Sequence, residues 1–422
     1  MFKEFFSLQY NNKQTVILLF LFVFQMLGLR LFSGVGFFLN IIIFCLLFKN
    51  TKLNNKKWGG ILLLSLSASI FQLLKGSTIL YSILVAMYVA NAILLIYYSE
   101  NHEIRNNFKA ALKIFVIQAF LSVIVYILVP KGLFVNVNWT DQILQDKTFL
   151  CLFYYVTNPN EFIPIINIPR TSGWAWEPGC LQLLVNLYIC LEIFDKANIK
   201  KLVIPSVVLF TTSSTSGFIV WGVNMLLLVL LSNARKLISL IPVFFIIMVS
   251  ILPFMIDNVI NKLSIGTDTV NTSGAIRMRD FYTGIETIKE YPLFGIDTSD
   301  LANSSQYQSL EDAGLDKIAN ISSTWHDYFD YAAGGYCNGF FTIHMLWGIL
   351  GLFFLYWFLT CRLWKRWSYG RYWFFFPLII SLSLVSEPIS NTAFFMFFCL
   401  YNKINNSKIN NSYENINNNC NL

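Results

Sequence analysis

The sequence predicts an all-α polytopic membrane protein with about 12 transmembrane helices. Hydrophobic residues make up 56% of the 422 residues, and charged residues only 13%. The apolar residues come in long blocks, and a helix needs about 20 of them to cross about 30 Å of hydrocarbon. Helices suit such blocks because each unpaired backbone group in lipid costs several kcal/mol. We therefore expect any chemistry to lie in the polar segments between the blocks.

The predicted spans follow the apolar blocks in chain order. They lie near residues 15–33, 34–48, 58–74, 78–98, 109–129, 174–194, 199–212, 215–232, 237–256, 338–361, 372–386 and 388–402. We predict two helices between 199 and 232, because one continuous helix would be roughly 50 Å long. The hydroxyl-rich run from Thr211 to Gly217 favours a turn there, since hydroxyls compete for backbone hydrogen bonds and glycine permits a bend.

Basic residues predict the orientation of the spans. With twelve spans, the Lys- and Arg-rich segments 49–57, 105–113, 196–201 and 362–371 all fall on one face. Short loops of this kind stay in the cytoplasm, so we predict that both termini are cytoplasmic. The formal net charge of +7 needs no nucleic-acid partner, because such cationic anchors lie beside anionic membrane lipids.

One transmembrane domain is predicted over residues 1–402. Two long polar segments, about 130–173 and 257–337, fall on the outer face, and the second is too long for a simple connector. The tail 403–422 is nearly all Asn, Ile, Ser and Lys. That composition predicts a disordered cytoplasmic tail, since it offers little apolar surface to bury.

The first outer segment ends in Arg170-Thr-Ser-Gly-Trp-Ala-Trp-Glu177-Pro178. One interpretation is a snorkelling arginine within an aromatic belt at the outer lipid interface. The other is an arginine that holds an anionic headgroup, with Glu177 as a base or an orienting group. The residues alone leave both interpretations open.

The second outer segment contains a predicted amphipathic helix over 276–290. Arg277 and Arg279 fall in its first turn, where a cation opposes the helix dipole unless an anion binds there. A solvated interfacial helix with incidental charge is the alternative. His326 lies outside the membrane, where a histidine can act as a base, whereas His344 in the next span fits a polar contact inside the bundle.

Several motifs are missing from the sequence. The outer segments contain no D-x-D, and the chain contains no P-loop, H-E-x-x-H or G-x-S-x-G. A metal-dependent transferase would need paired carboxylates for its cation, so we expect neither metal nor cofactor. Arginines suit a metal-independent grip on a diphosphate, because their fork of donors matches phosphate oxygens.

Four stretches together resemble the bacterial O-antigen polymerase and O-antigen ligase superfamily. The run 170–178 resembles its R-x-x-G-x-x-x-E-P signature, and 214–217 its S-x-[ST]-G turn. Arg277, fifteen residues before Pro292-Leu-Phe-Gly295, resembles its arginine-to-P-L-x-G block, and 338–351 the block that opens the following span. One departure is Cys337, where the family usually has a histidine.

The resemblance implies a GT-C-like helical fold in the bacterial inner membrane, with a periplasmic active site and short helices in the large periplasmic loop. It implies transfer of a growing glycan from undecaprenyl diphosphate to the sugar hydroxyl of another undecaprenyl-diphosphate-linked repeat unit. A chain-length regulator protein is a candidate partner. If the resemblance holds, we expect Arg170 and Arg277 to bind the diphosphate, with Arg279 as a lesser candidate. Because Cys337 replaces the usual histidine, no catalytic histidine is carried over, and the candidates for catalysis are Glu177 and His326. Asn338 and His344 are candidate supporting residues.

Two alternatives to a polymerase stay open. One is an O-antigen ligase that moves the finished glycan onto a lipid A core, although the Glu177-Pro178 pair is more typical of the polymerases. The other is a flippase or transporter for lipid-linked glycans. A transporter usually carries ionisable groups in mid-membrane, and the nearly charge-free spans favour an enzyme instead.

Overall fold

A computed structural model describes residues 6–26, 35–137, 146–150, 152–156, 162–163, 168–175, 177–196, 199–232, 281–282, 284–296, 338–368, 370–385 and 392–404. The helices are α1 Lys13–Met26, α2 Val35–Asn50, α3 Asn55–Leu74, α4 Ile79–Asn101, α5 Arg105–Leu128, α6 Pro178–Phe194, α7 Lys200–Thr212, α8 Thr215–Leu231, α9 Gly339–Trp347, α10 Ile349–Leu359, α11 Leu363–Trp367, α12 Phe375–Leu384 and α13 Ala393–Ile404. Short 3-10 helices lie at Lys131–Leu133 and Gly370–Phe374.

The described structure is that of a mostly helical membrane protein. Helices α3, α4 and α5 are long and apolar enough to cross a bilayer. On α3, Leu62, Leu63 and Leu66 are 60%, 65% and 58% exposed. A patch of exposed leucines is unfavourable in water, so these residues fit a surface that faces lipid acyl chains. The count of twelve spans stays a prediction, because 237–256 lies outside the described residues.

Helix α6 is the core of one half of the bundle. It packs against α5, α7, α8 and α12, and nearly every residue along it is buried. A helix that is apolar all round belongs inside a bundle. In the other half, α4 packs against α2, α3 and α13.

Residues 199–232 form two helices, as predicted. Ser213 adopts the left-handed conformation with φ 49°, and the Ser214 side chain caps α8 by accepting from the Gly217 N–H. The two helices pack side by side: Trp221 Nε1 on α8 donates to Ser206 Oγ on α7 at 3.1 Å.

The segment 338–361, predicted as one span, is not one continuous helix, because it breaks at Gly348 between α9 and α10. Gly348 has φ +52°, and a Cβ there would collide with the Leu293 carbonyl. The Ile349 N–H donates to Leu293 O at 3.2 Å, and the Ile296 N–H to Met345 O at 3.0 Å. The segment 293–296 therefore inserts its backbone where a continuous helix would need space.

The first outer segment contains strands that an all-α prediction omits. Strands β1 Val135–Val137, β2 Asp146–Phe149 and β3 Phe153–Val156 form an antiparallel sheet in the order β1-β2-β3. Strands β4 Phe162–Ile163 and β5 Ile168–Pro169 pair antiparallel. In the second outer segment, 281–282 and 284–290 are helical, which confirms the described part of the helix predicted over 276–290.

Contacts between helix ends define two ends of the bundle. At the basic end, Lys57 at the start of α3 pairs with Glu100 on α4 at 3.4 Å, and Arg105 at the start of α5 pairs with Asp195 after α6 at 2.6 Å. The opposite end, which we call the loop end, carries the strands and the start of α6. Basic segments that are distant in sequence therefore share one end, in keeping with the predicted sidedness.

Candidate functional site

Residues 170–175, which we call the re-entrant segment, dock onto the turn between α7 and α8. The Thr171 N–H donates to Thr211 O at 2.8 Å, and Arg170 Nε donates to Thr212 O at 3.0 Å. These carbonyls belong to the last turn of α7, where backbone acceptors lack helical partners and a cation is favoured by the helix dipole. Two motifs about 40 residues apart in sequence therefore meet in space.

The re-entrant segment lies deep within the bundle. Gly173 has φ +57°, and a Cβ there would lie 2.7 Å from Gln118 Oε1 and 3.4 Å from Ala119 Cβ. Gln118 is in the middle of α5, and the ten residues from it to Leu128 extend about 15 Å further. The sequence placed Arg170 at the outer lipid interface, whereas the structure recesses its segment between helices.

The recess exists because α7 is short. Its 13 residues span about 20 Å, against about 36 Å for the 24 residues of α5. The hydroxyl-rich turn ends α7 at Thr212, and the re-entrant segment occupies the space between this end of α7 and the loop end of the bundle. Non-helical backbone at membrane depth is tolerated only where protein satisfies its polar groups, and Thr171 meets that condition through Thr211.

Trp174 anchors the re-entrant segment. Its ring makes edge contacts with Phe20, Phe24 and Phe115 at centroid distances of 5.8, 5.8 and 5.9 Å. Its indole N–H donates to Leu152 O at 3.0 Å. Trp174 is therefore half-buried and held by contacts within the protein. Trp176 lies outside the described residues.

Glu177 begins helix α6. It has extended backbone at the cap position, Pro178 follows in the first turn, and its side chain is exposed. A carboxylate here is favoured by the positive end of the helix dipole. Within the described part of the chain, no hydrogen bond or ion pair holds this side chain. The carboxylate is thus available to a ligand or to water at the loop end.

A buried polar ladder lies beneath the turn, formed by Gln182, Asn186, Asn224 and Ser383. Asn186 Nδ2 donates to Gln182 Oε1 at 3.0 Å, and Asn224 Nδ2 donates to Asn186 Oδ1 at 3.0 Å. Gln182 Nε2 reaches Ser383 Oγ on α12 at 3.3 Å. The ladder ties α6, α8 and α12 together, since hydrogen bonds between side chains hold neighbouring helices in an apolar medium.

The turn also needs close helix packing. A Cβ at Gly217 would lie 2.9 Å from Gln182 Cβ, closer than such atoms approach. Gly217 O accepts from Asn186 Nδ2 at 3.2 Å. Glycine therefore lets α8 approach α6 closely enough to form the ladder.

A wall of the recess comes from strands β2 and β3. Tyr155 OH donates to Ser122 O on α5 at 2.7 Å, and Gln118 Nε2 donates to Leu152 O at 3.0 Å. Burial raises the pKa of the Tyr155 hydroxyl, so this group stays protonated and can donate to Ser122 O. These bonds hold the sheet against α5 beside the re-entrant segment.

Asn338 and His344 belong to the broken helix. Asn338 Oδ1 accepts from the Phe340 N–H at 3.1 Å and caps α9. His344 is buried within α9, two residues from Leu346, whose carbonyl accepts from Gln72 Nε2 and Lys75 Nζ at 3.0 and 2.9 Å. Asn338 thus acts as a helix cap, and His344 lies among contacts that seat α9 on α3.

Three predicted site residues, Arg277, Arg279 and His326, lie outside the described residues. The structure therefore brings together Arg170 and the 211–217 turn, with Glu177 at the start of the adjoining helix. It gives no contact between these and His344 in the part of the chain that it describes.

Sequence analysis missed Gln118 and the polar ladder. Gln182 and Asn186 are four residues apart in an otherwise apolar span, which puts them on one helix face. Polar residues within a span usually face the bundle interior, and that spacing was the available signal. Gln118 had no comparable partner within its own helix except Ser122, four residues on.

Comparisons with known proteins return no matching family model, no matching curated protein and no matching solved structure. The resemblance to the O-antigen polymerase and ligase superfamily therefore rests on the four stretches of sequence.

Proposed function

We propose that the chain is a membrane glycosyltransferase that polymerises a surface polysaccharide such as an O-antigen. It transfers a growing glycan from undecaprenyl diphosphate to a sugar hydroxyl of another undecaprenyl-diphosphate-linked repeat unit. The observation that carries the proposal is the docking of Arg170 on the 211–217 turn within a recess. Two of the four family-like stretches meet at that point.

The proposed reaction is a substitution at the anomeric carbon of the donor glycan. The acceptor hydroxyl oxygen forms the new bond to this carbon, the bond to the diphosphate oxygen breaks, and undecaprenyl diphosphate leaves with the electron pair. Arginine is suited to the charge that develops on the leaving group, because its planar fork donates two hydrogen bonds to phosphate oxygens. The partial burial of Arg170 strengthens this electrostatic stabilisation relative to water.

Glu177 is our candidate for the proton acceptor. The hydroxyl proton must leave the acceptor sugar as the new bond forms, and a positioned carboxylate can take it. The exposed side chain at the start of α6 can reach a ligand at the loop end. His326 is the other candidate, since Cys337 stands where the family usually has a histidine.

The remaining parts of the proposal rest on the resemblance. They are a GT-C-like arrangement of about 12 spans, an inner-membrane location with periplasmic active site, and diphosphate contacts from Arg277 and Arg279. The reaction is proposed to be metal-independent, with a chain-length regulator as candidate partner.

A flippase is the second candidate, and the polar ladder is the observation that favours it. Polar groups inside a bundle often mark a transport path. Gln182, Asn186, Asn224 and Ser383 are each 0% exposed and bond to one another. Because these groups are fully buried and bond to one another, the ladder fits helix association better than a hydrated path, and Asn224 Oδ1 is its one acceptor without a partner among the described residues.

The test uses the purified full chain in lipid nanodiscs with synthetic undecaprenyl-diphosphate repeat units. We expect a ladder of lengthening products and released undecaprenyl diphosphate. Transfer only to an added lipid A core acceptor would instead identify a ligase. In sealed vesicles, movement of the lipid-linked unit across the bilayer without a new glycosidic bond would identify a flippase.

The role of Glu177 is tested in the same assay. Glu177→Gln should lower kcat by roughly 10²-fold, as expected when a general base is lost. Glu177→Asp should restore part of the rate, because the carboxylate returns at a shorter reach. An unchanged kcat in Glu177→Gln would remove Glu177 as the base and make His326→Gln the next variant to assay.

A further inference from the structure

The described part of the second outer segment contains a short helix that packs against α9. Residues 281–282 and 284–290 are helical. A Cβ at Gly284 would collide with the Phe341 ring of α9, and Thr287, three residues further on, is 0% exposed. The side of the helix that carries Gly284 and Thr287 therefore faces the protein.

A second side of this helix is apolar and exposed. Phe281, Ile285 and Ile288 are spaced i, i+4 and i+7, which puts them along one stripe of a helix. Phe281 is 46% exposed and Ile288 is 39% exposed. The next side is charged, because Lys289 pairs with Glu286 at 3.3 Å and the lysine side chain is 64% exposed. The helix thus has a protein-facing side, an apolar side and a charged side.

The exposed apolar surface continues past the helix at Leu293 and Phe294, which are 58% and 60% exposed. Their backbone is fixed, because Leu293 O accepts from the Ile349 N–H at 3.2 Å and the Ile296 N–H donates to Met345 O at 3.0 Å. These bonds lock the segment into the break between α9 and α10. Two large apolar side chains therefore stay outside on a backbone that cannot withdraw them, and such a surface marks an interaction site.

Helix α3 indicates the partner of this surface. The Phe294 ring lies beside α3, with its centroid 6.1 Å from that of Phe71. The 20 residues of α3 are about 30 Å long, which matches the hydrocarbon thickness, and Phe71 lies in the last turn. Phe294 is therefore near the outer boundary of the hydrocarbon. The exposed face of α3 is a row of aliphatic residues that fits lipid acyl chains: Leu62, Leu63, Leu66, Ile70 and Leu74.

We infer that residues 284–294, which we call the anchor segment, lie in the outer lipid interface and insert Ile288, Leu293 and Phe294 among the acyl chains. The charged side of the helix faces the headgroups and water, as in other interfacial amphipathic helices. Lipid is favoured over a second copy of this chain, because the exposed surface continues the lipid-facing row of α3. The bilayer thereby holds the second outer segment against the broken helix.

The experiment uses the full chain, one copy per lipid nanodisc, with an environment-sensitive fluorescent amino acid at a single position. One variant carries it in place of Phe294, and the matched control carries it in place of Lys289, whose side chain is exposed to a similar extent. Lipids with brominated acyl chains quench fluorophores in the hydrocarbon, and acrylamide quenches those in water. We expect brominated lipid to lower emission at least about twofold at 294 and little at 289, with the reverse for acrylamide.

A second measurement uses the native chain and needs no substitution. A lipid with a diazirine in its acyl chain is photolysed in the same nanodiscs, and the labelled peptides are identified by mass spectrometry. We expect label on the peptide that contains Leu293 and Phe294 and on the peptides of α3, which are the positive control. Label on α3 without label on the anchor segment would overturn the inference.

Other occupants of the surface give different results. Strong acrylamide quenching at 294 without quenching by brominated lipid would mean that the surface faces water. Protection of 294 from both quenchers would mean that another part of the chain covers it. Loss of lipid quenching when two copies share a nanodisc would identify a second copy as the partner. Each of these results would contradict insertion into lipid.

Discussion

The basic end and the loop end of the bundle hold their cations in different ways. At the basic end, Arg105 and Lys109 meet carboxylates from the neighbouring helix, Asp195 and Glu192. At the loop end, Arg170 bonds to the carbonyl of Thr212. A carbonyl orients a guanidinium group without cancelling its charge, whereas a carboxylate does both.

This difference separates structural charge from charge suited to binding. Paired charges at the basic end fasten α5 to α6, and they add little field beyond themselves. Arg170 is positioned by the end of α7 and is half-buried, and electrostatic interactions in such a setting are stronger than in water.

The largest expected effect is at Arg170. Arg170→Ala should lower polymerisation by roughly 10³-fold, because the diphosphate loses its main counter-charge. Arg170→Lys should recover only part of the rate, since lysine keeps the charge but lacks the guanidinium fork. The measurement is the initial rate of product formation in nanodiscs, alongside thermal unfolding.

The matched control for that prediction is Arg366→Ala at the basic end, where Arg366 Nη1 donates to Tyr401 OH at 3.0 Å. We expect it to polymerise at the native rate. Equal losses in both variants would mean that any lost arginine harms the protein, and the contrast between the ends would fail.

A pair of glycines in α8 gives the next largest effect. Gly217→Ala should destabilise the protein by about 3 kcal/mol, because its Cβ would press on Gln182 and force α8 away from α6. Gly222→Ala should be neutral or stabilise by up to about 1 kcal/mol, since nothing lies within 4 Å and alanine favours helices. Unfolding free energies of both variants in one detergent check this, and equal values would contradict the close approach.

Asp195 tests the paired charges of the basic end. Asp195→Asn should cost about 2 kcal/mol, because Arg105 and Lys109 lose their shared carboxylate. The loss should shrink at high salt, where these partly exposed charges are screened. Unfolding free energies at low and high salt give the measurement.

The exposed pair Lys289–Glu286, with the lysine side chain 64% exposed, is the comparison. Lys289→Ala should change stability by no more than about 0.5 kcal/mol. If Asp195→Asn were equally mild, the basic-end pairs would be ordinary surface contacts and would not fasten α5 to α6.

The smallest expected effect is at Trp174. Trp174→Phe keeps a ring against Phe115 but loses the hydrogen bond to Leu152 O, which predicts a cost of about 1 kcal/mol. Trp58→Phe is the control, because Trp58 also packs on a phenylalanine ring but its indole N–H donates no hydrogen bond to another described residue. Stability measured for the two variants should differ, and identical values would assign Trp174 to simple ring packing.

Much of the helical layout was predictable from sequence. The apolar blocks predicted α3, α4 and α5. The hydroxyl-rich run predicted the turn at Ser213, because hydroxyl side chains compete for local backbone hydrogen bonds and so favour the end of a helix. The break at Gly348 was not predictable in the same way. It depends on the Leu293 carbonyl, which approaches from a segment about 55 residues earlier.

The candidate site divides along the same line. The motif 170–178 was recognisable in the sequence. Its position deep between the helices was not, because that position depends on the length of the neighbouring helix α7, which the motif itself does not encode. Trp174 is typical of an interface by composition, and the structure adds that three phenylalanine rings and the Leu152 carbonyl hold its half-buried side chain.

The sequence by itself determined that this is a helical membrane protein, where α7 and α8 divide, and which end gathers cations. Those features follow from the transfer cost of apolar and charged groups and from local backbone hydrogen bonding, which act over a few residues. Only the tertiary structure decided that Arg170 meets the carbonyl end of α7 in a recess, and that the Phe294 ring lies beside Phe71 at the end of α3. Such juxtapositions depend on how helices of unequal length pack, which is a property of the whole bundle.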